Sequence, residues 1–160
     1  MGQEMTGVTF GSGWNGSGDK DPQLSISGDG LAFTLTFAEM EANVGAGKSD
    51  DLFAARVFSA VVPLEGDGDE VSIAFTASVY AFASEGATGY VLLSVNGQIA
   101  VQHFAAGTDD DFVQPLTVTA GPGSPLHLVV VAVAQRDPAY PDAAAAVRPV
   151  SIDAELPLPR

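Results

Sequence analysis

Oxygen-bearing side chains stand at every second position in Asn15, Ser17, Asp19 and Asp21, within a glycine-rich stretch. That rhythm resembles the ligand spacing of a calcium loop, in which a hard cation gathers carboxylate and amide oxygens. Two more acidic clusters follow, Glu65, Asp67, Asp69 and Glu70, and then Asp109, Asp110 and Asp111. Brought to one end of a fold, these loops could chelate calcium, with Asp19, Asp21, Asp67, Asp69, Asp109 and Asp111 as candidate ligands. Solvated turns account for each cluster equally well. The EF-hand pattern is not met, because Lys20 stands where the sharp-turn glycine belongs and no glutamate fills the twelfth position.

Aromatic rings supply the second kind of chemistry. Trp14 sits in the glycine-rich polar stretch, and Tyr80, Tyr90 and Tyr140 fall in or beside strand-like segments and turns. Exposed rings of this kind stack against sugars, so these four are the candidate ligand-binding residues. Trp14 could instead cap the core.

The inventory for catalysis is thin, and no catalytic residue is expected. The chain has no cysteine and two histidines, His103 and His127, neither of which lies in a nucleophile or metalloprotease motif. Glu39 and Glu41 share strand parity and could sit side by side if Leu31 to Glu41 stays extended, which is the basis of a glycoside-active alternative. Ala42 to Ser49 ends like a phosphate-binding loop, but its first glycine is replaced by Ala42 and no β–α alternation surrounds it. A flexible loop between strands is expected there.

The elements that must carry these residues read as strands. Leu31, Phe33, Leu35 and Phe37 take one parity while Ala32, Thr34 and Thr36 take the other, the period of a half-buried strand. Further strands are expected at Gln23–Ser27, Phe53–Leu64, Glu70–Phe82, Gly89–Val95, Ile99–Phe104, Phe112–Thr119, Leu126–Gln135 and Val147–Leu156. Asn96-Gly97, between alternating apolar arms, predicts a tight type I′ hairpin. Leu126 to Ala134 is apolar on both parities and predicts a strand covered on both faces, by the arm, by loops or by another subunit. Val150, Ile152, Ala154 and Leu156 are expected to face inward, opposed by Ser151, Asp153 and Glu155. Ser49 and Asp50 could cap a helix, yet the β-branched run Arg56 to Val62 favours a strand from Phe53, and a helical turn is possible at Ala143–Ala146.

Together these segments predict an all-β fold, a two-sheet antiparallel sandwich with jelly-roll or immunoglobulin-like connectivity and about eight to ten strands. A flexible N-terminal arm over residues 1–22, with a short strand at Val8–Phe10, would precede one domain over 23–160. At 160 residues the chain can bury roughly 70% of its unfolded surface without a disulfide. Its 20 acidic residues against 6 basic ones give a formal net charge of -14, which repels phosphate backbones and anionic membranes, so neither nucleic acid nor membrane insertion is expected. No signal peptide reads from Met1 to Asp21, as in a mature secreted protein.

The order LSISGDGLAFTLTF, a glycine-rich loop, RVFSAVVPL and EVSIAFTASVYAF resembles a family of small secreted β-sandwich proteins of fungi and actinobacteria with no assigned function. The resemblance spans residues 23–156 and implies a sandwich and an extracellular or cell-surface location. The functional expectation is a non-catalytic module that binds a glycan or protein surface with calcium's help. The alternative is a homo-oligomeric structural subunit of a surface, fibre or capsid-like assembly.

Overall fold

The computed structural model describes residues 7–45 and 51–157, so Lys48, Ser49 and Asp50 lie outside the described residues. Among those described, every regular element is a strand. No helix there is long and apolar enough to cross a membrane.

The N-terminal strands are β1 (Thr9–Phe10), β2 (Asn15–Ser17), β3 (Gln23–Ile26), β4 (Ala32–Thr36) and β5 (Ala42–Val44). The middle of the chain gives β6 (Phe53–Val62), β7 (Leu64–Glu65), β8 (Val71–Ala83) and β9 (Ala87–Val95). The remainder forms β10 (Gln98–Phe104), β11 (Thr108–Ala120), β12 (Leu126–Arg136) and β13 (Ala145–Glu155). All nine strands expected from alternation are present, and the short β1, β2, β5 and β7 raise the count above the expected range.

Two sheets carry the fold. One runs β10-β9-β12-β6-β2, the other β11-β8-β13-β4-β3 with β5 also on β13, while β1 and β7 form a separate two-stranded ladder. Every pairing is antiparallel. The pairs β9–β10, β8–β11, β6–β12 and β4–β13 nest one outside another and fall alternately in the two sheets. This is jelly-roll wrapping, and it decides between the two connectivities that strand rhythm leaves open.

The core lies between the sheets. Phe33, Leu35, Ile73, Phe75 and Ile152 come from one, and Phe58, Leu93, Leu126 and Leu128 from the other, all buried. Phe37 and Phe58 meet edge to face at 4.9 Å, and Phe104 packs on Phe112 at the same centroid distance. Because Phe58 and Phe104 belong to one sheet and Phe112 to the other, these rings tie the layers together.

Two local expectations are corrected. Val150 is 39% exposed, because a register shift between Pro149 and Ser151 inserts a residue and moves the inward parity onto Val147 and Pro149 before Ile152. The exposed residue still contributes its carbonyl, which accepts a hydrogen bond from the Phe37 N–H at 3.0 Å. At Ala143–Ala146 there is no helical turn, since β13 begins at Ala145 against Val44 and Ala83.

The N-terminal stretch includes the expected short strand near Val8–Phe10 as β1. Within residues 1–22 the chain forms β1 on β7 and β2 on the edge of β6. Its glycines serve close approach: a Cβ on Gly16 would lie 2.8 Å from the Phe58 ring, and one on Gly18, at φ 115°, would lie 2.1 Å from the Val57 carbonyl oxygen. Composition alone cannot distinguish a glycine needed for contact from one that loosens a loop.

Candidate binding face

The outward side of the β10-β9-β12-β6-β2 sheet is set by strand alternation, and its register assembles the side chains into cross-strand rows. The central row is Val101, Leu92, Val131 and Val57. Beside it run Ile99, Ser94, Val129, Ser59 and Ser17 on one flank and His103, Tyr90, Val133 and Ala55 on the other. Phe53, Gln135 and Thr88 close one end, and His127, Val61 and Asn15 the other. Ile99, Phe53, Val57 and Val101 are 59%, 57%, 54% and 42% exposed.

These rows contain no aspartate, glutamate, lysine or arginine, in a chain with 20 acidic residues, and they hold both of its histidines. The inward parity of β12, Leu126, Leu128, Val130, Ala132 and Ala134, is fully buried. The outward parity, which the sequence places under a cover, leaves Val129 and Val131 half-buried and only Val133 buried. Among the described residues, the arm's β2 extends the sheet at its edge and does not lie over them.

Within this face the rings of Tyr90 and His103 lie 5.5 Å apart, tilted by 48°. They border a shallow depression of about 380 Å3 lined also by Thr88 and Gln135. A smaller one of about 210 Å3 lies at the other end between Asn15, Ser17, Val61 and His127. Both offer apolar walls with hydroxyl, amide or imidazole groups beside them.

The outer side of the opposite sheet carries mostly charged and hydroxyl side chains, with Val113 63% exposed among them. Thr34 donates to the Asp153 carboxylate across β4 and β13. Tyr80 donates its phenol to Asp109 Oδ1 at 2.7 Å, and the Arg148 guanidinium lies 5.6 Å from the centre of its ring. The hydrogen bond to Asp109 holds the Tyr80 phenol above its ordinary pKa, with desolvation and the Asp109 charge adding to the effect.

The candidate aromatics are dispersed. Trp14 is half-buried and packs on the core beside Gly16, Tyr80 lies on the polar face, and Tyr90 lies on the apolar face. Tyr140 is 43% exposed in the connection before β13, where a Cβ on Gly86 would come within 2.4 Å of its ring. His103, which lies in no catalytic motif, is the residue that joins Tyr90. The signal for it is outward parity: Ile99, Val101 and His103 alternate opposite the inward residues of the same arm.

The candidate metal ligands are engaged separately. Asp19 accepts backbone N–H groups of Ala38 and Glu39 at 2.7 and 2.8 Å, and Asp21 accepts Gln23 Nε2 at 2.9 Å. Asp67 and Asp69 are exposed in the turn before β8, while Asp109 and Asp111 stand on β11. Among the described residues no three histidine, cysteine, aspartate or glutamate side chains are grouped to hold a metal ion. Glu39 and Glu41 do not line a strand either, because β4 ends at Thr36; Glu39 pairs with Lys20 at 3.8 Å, both well exposed.

No protein-family model matches the chain, and no curated protein matches it. Among solved structures it is similar to TmCBM61 in complex with β-1,4-galactotriose, at 12% identity over 91% of this chain and 90% of that one, with a TM-score of 0.35. It is also similar to the enzymatically active domain of bacteriophage CBA120 tailspike protein 4, at 10% identity, covering 91% of this chain and 20% of that one, with a TM-score of 0.35. Arabinose-bound MgGH51 α-L-arabinofuranosidase shows 12% identity, covering 97% of this chain and 26% of that one, with a TM-score of 0.29. At TM-scores this low the likenesses assign neither ligand nor reaction to this chain.

Proposed function

We propose that this protein is a non-catalytic binding module whose working surface is the outer face of the β10-β9-β12-β6-β2 sheet. One observation carries the reading: exposed valine, isoleucine and phenylalanine side chains form continuous rows on a face without a single carboxylate, while the chain as a whole carries a formal charge of -14. Contiguous apolar area of this kind gains about 25 cal/mol per Å2 when a partner covers it. Glu39 and Glu41 lie in the connection between β4 and β5 and not side by side along a strand, which, with the missing nucleophile motifs, supports a module without catalysis.

The ligand we favour is a glycan seated at Tyr90 and His103. Their rings offer apolar planes to sugar C–H groups, and Thr88 and Gln135 stand beside them to exchange hydrogen bonds with hydroxyls. An extracellular location suits this ligand. No calcium ion is required by this arrangement, so titrations with and without calcium should agree. A glycan array followed by calorimetry tests the reading: binding that survives in wild type and is lost in Tyr90→Ala, with an unchanged far-ultraviolet spectrum, supports it. A null array sinks the glycan assignment.

A second reading, an assembly subunit, is favoured by the extent of the face. Val57 and Phe53 lie on β6, two strands away from Tyr90 across β12, and are beyond what a small sugar would cover. Pull-down of a protein partner that Val57→Lys abolishes would select it.

A further inference from the structure

We infer that a second copy of this chain pairs with the free edge of β10, joining two five-stranded sheets into one. This goes beyond the binding-module reading, since it concerns the strand's backbone edge and not the face.

Among the described residues the two sheets have five outer strands, β10 and β2 in one, β11, β3 and β5 in the other. Unpaired N–H and C=O groups on such strands invite further pairing, and proteins blunt them with charge, proline or shortness. Strand β11 carries Asp109, Asp110, Asp111 and Pro115. Strands β2, β3 and β5 are only three, four and three residues long. Strand β10 has none of these devices: its seven residues, QIAVQHF, include no proline and no aspartate, glutamate, lysine or arginine. Among the described residues it pairs with β9 alone.

The hairpin register sets which groups are free. Asn96 and Gly97, at φ 50° and 85°, form the two-residue turn, closed by the hydrogen-bonded pair Val95 and Gln98. Alternation along an antiparallel pair then directs the backbone groups of Ala100 and Gln102 toward β9 and those of Ile99, Val101 and His103 away from it. A two-fold axis at Val101 brings Val101 against its own copy and Ile99 against His103 of the second copy, so each pair exchanges both bonds. Apolar side chains meet across the axis, and no carboxylate is apposed. The outer faces of the two copies become one continuous surface.

Sedimentation velocity from low to high micromolar concentration tests this. Wild type is expected to dimerise, more strongly at high salt because the formal charge of -14 on each copy is then screened. Val101→Pro removes an N–H that points away from β9, so it spares the hairpin ladder while weakening the dimer on the order of 100-fold. Should that variant misfold, Val101→Lys, which sets two ammonium groups at the axis, gives the same readout. Val57→Lys, on β6 away from this edge, leaves the dimer intact. A wild type that is monomeric throughout, or a dimer that Val57→Lys dissolves and both Val101 variants leave unchanged, overturns the inference. A monomer that still binds its glycan would sink this inference and leave the binding-module reading standing; a dimer that binds nothing would do the reverse.

Discussion

Phe58 of β6 and Gly16 of β2 are in mutual contact: the ring fills the space that any Cβ at position 16 would enter, 2.8 Å away. The same ring meets Phe37 edge to face at 4.9 Å and is fully buried. Phe58→Ala should therefore cost about 3–5 kcal/mol, through a cavity in the centre of the sandwich. Gly16→Ala pushes on the ring from the other side and should cost about 1–3 kcal/mol. Denaturant titration of both variants measures each cost.

Asn96 is the described non-glycine residue at positive φ, and its side-chain oxygen accepts the His127 N–H at 2.8 Å. Asn96→Ala loses a residue suited to the left-handed region and leaves that N–H without its acceptor. The expected loss is about 1–3 kcal/mol, read by thermal or chemical unfolding.

Substitutions on the apolar face should separate binding from folding. Val57→Lys and Ile99→Lys alter side chains that are 54% and 59% exposed, so unfolding free energy should stay within about 0.5 kcal/mol of wild type. A loss of several kcal/mol would mean that another part of the chain covers this face in solution.

Asp29 accepts the Ser27 hydroxyl at 2.7 Å and the Leu31 N–H at 3.0 Å, and these bonds hold its carboxyl below the ordinary value of 3.8. On acidification the unfolded chain takes up this proton first. The stabilisation is thus complete above that ordinary value and is lost as pH falls through the lower folded one. Melting temperatures of wild type and Asp29→Asn should differ near neutral pH and converge in strong acid.

Tyr80 gives the opposite sign. Its bond to Asp109 raises the phenol above 10.0, so the contribution is complete below that value and fades as pH rises through the folded one. The gap in melting temperature between wild type and Tyr80→Phe should close in strong alkali.

Period-two alternation made nine strands and the Asn96-Gly97 hairpin readable from sequence, because each depends on neighbours only a few residues away. The doubly apolar strand Leu126 to Ala134 was equally plain. Sequence determined that both of its sides are apolar; only the fold decided that the Leu128 side meets the opposite sheet and the Val131 side joins Leu92, Val57 and Val101 in an open face. Contacts of that kind depend on register between strands distant in the chain. The same holds for Gly16 and Gly18, whose composition suggests looseness until Phe58 and the Val57 carbonyl are placed beside them. Acid clusters and aromatic rings, too, have meaning only by adjacency. Local spacing could not foresee that Asp19 caps Ala38 and Glu39 or that Tyr90 meets His103, since what a side chain does is set by the neighbour that folding brings within reach.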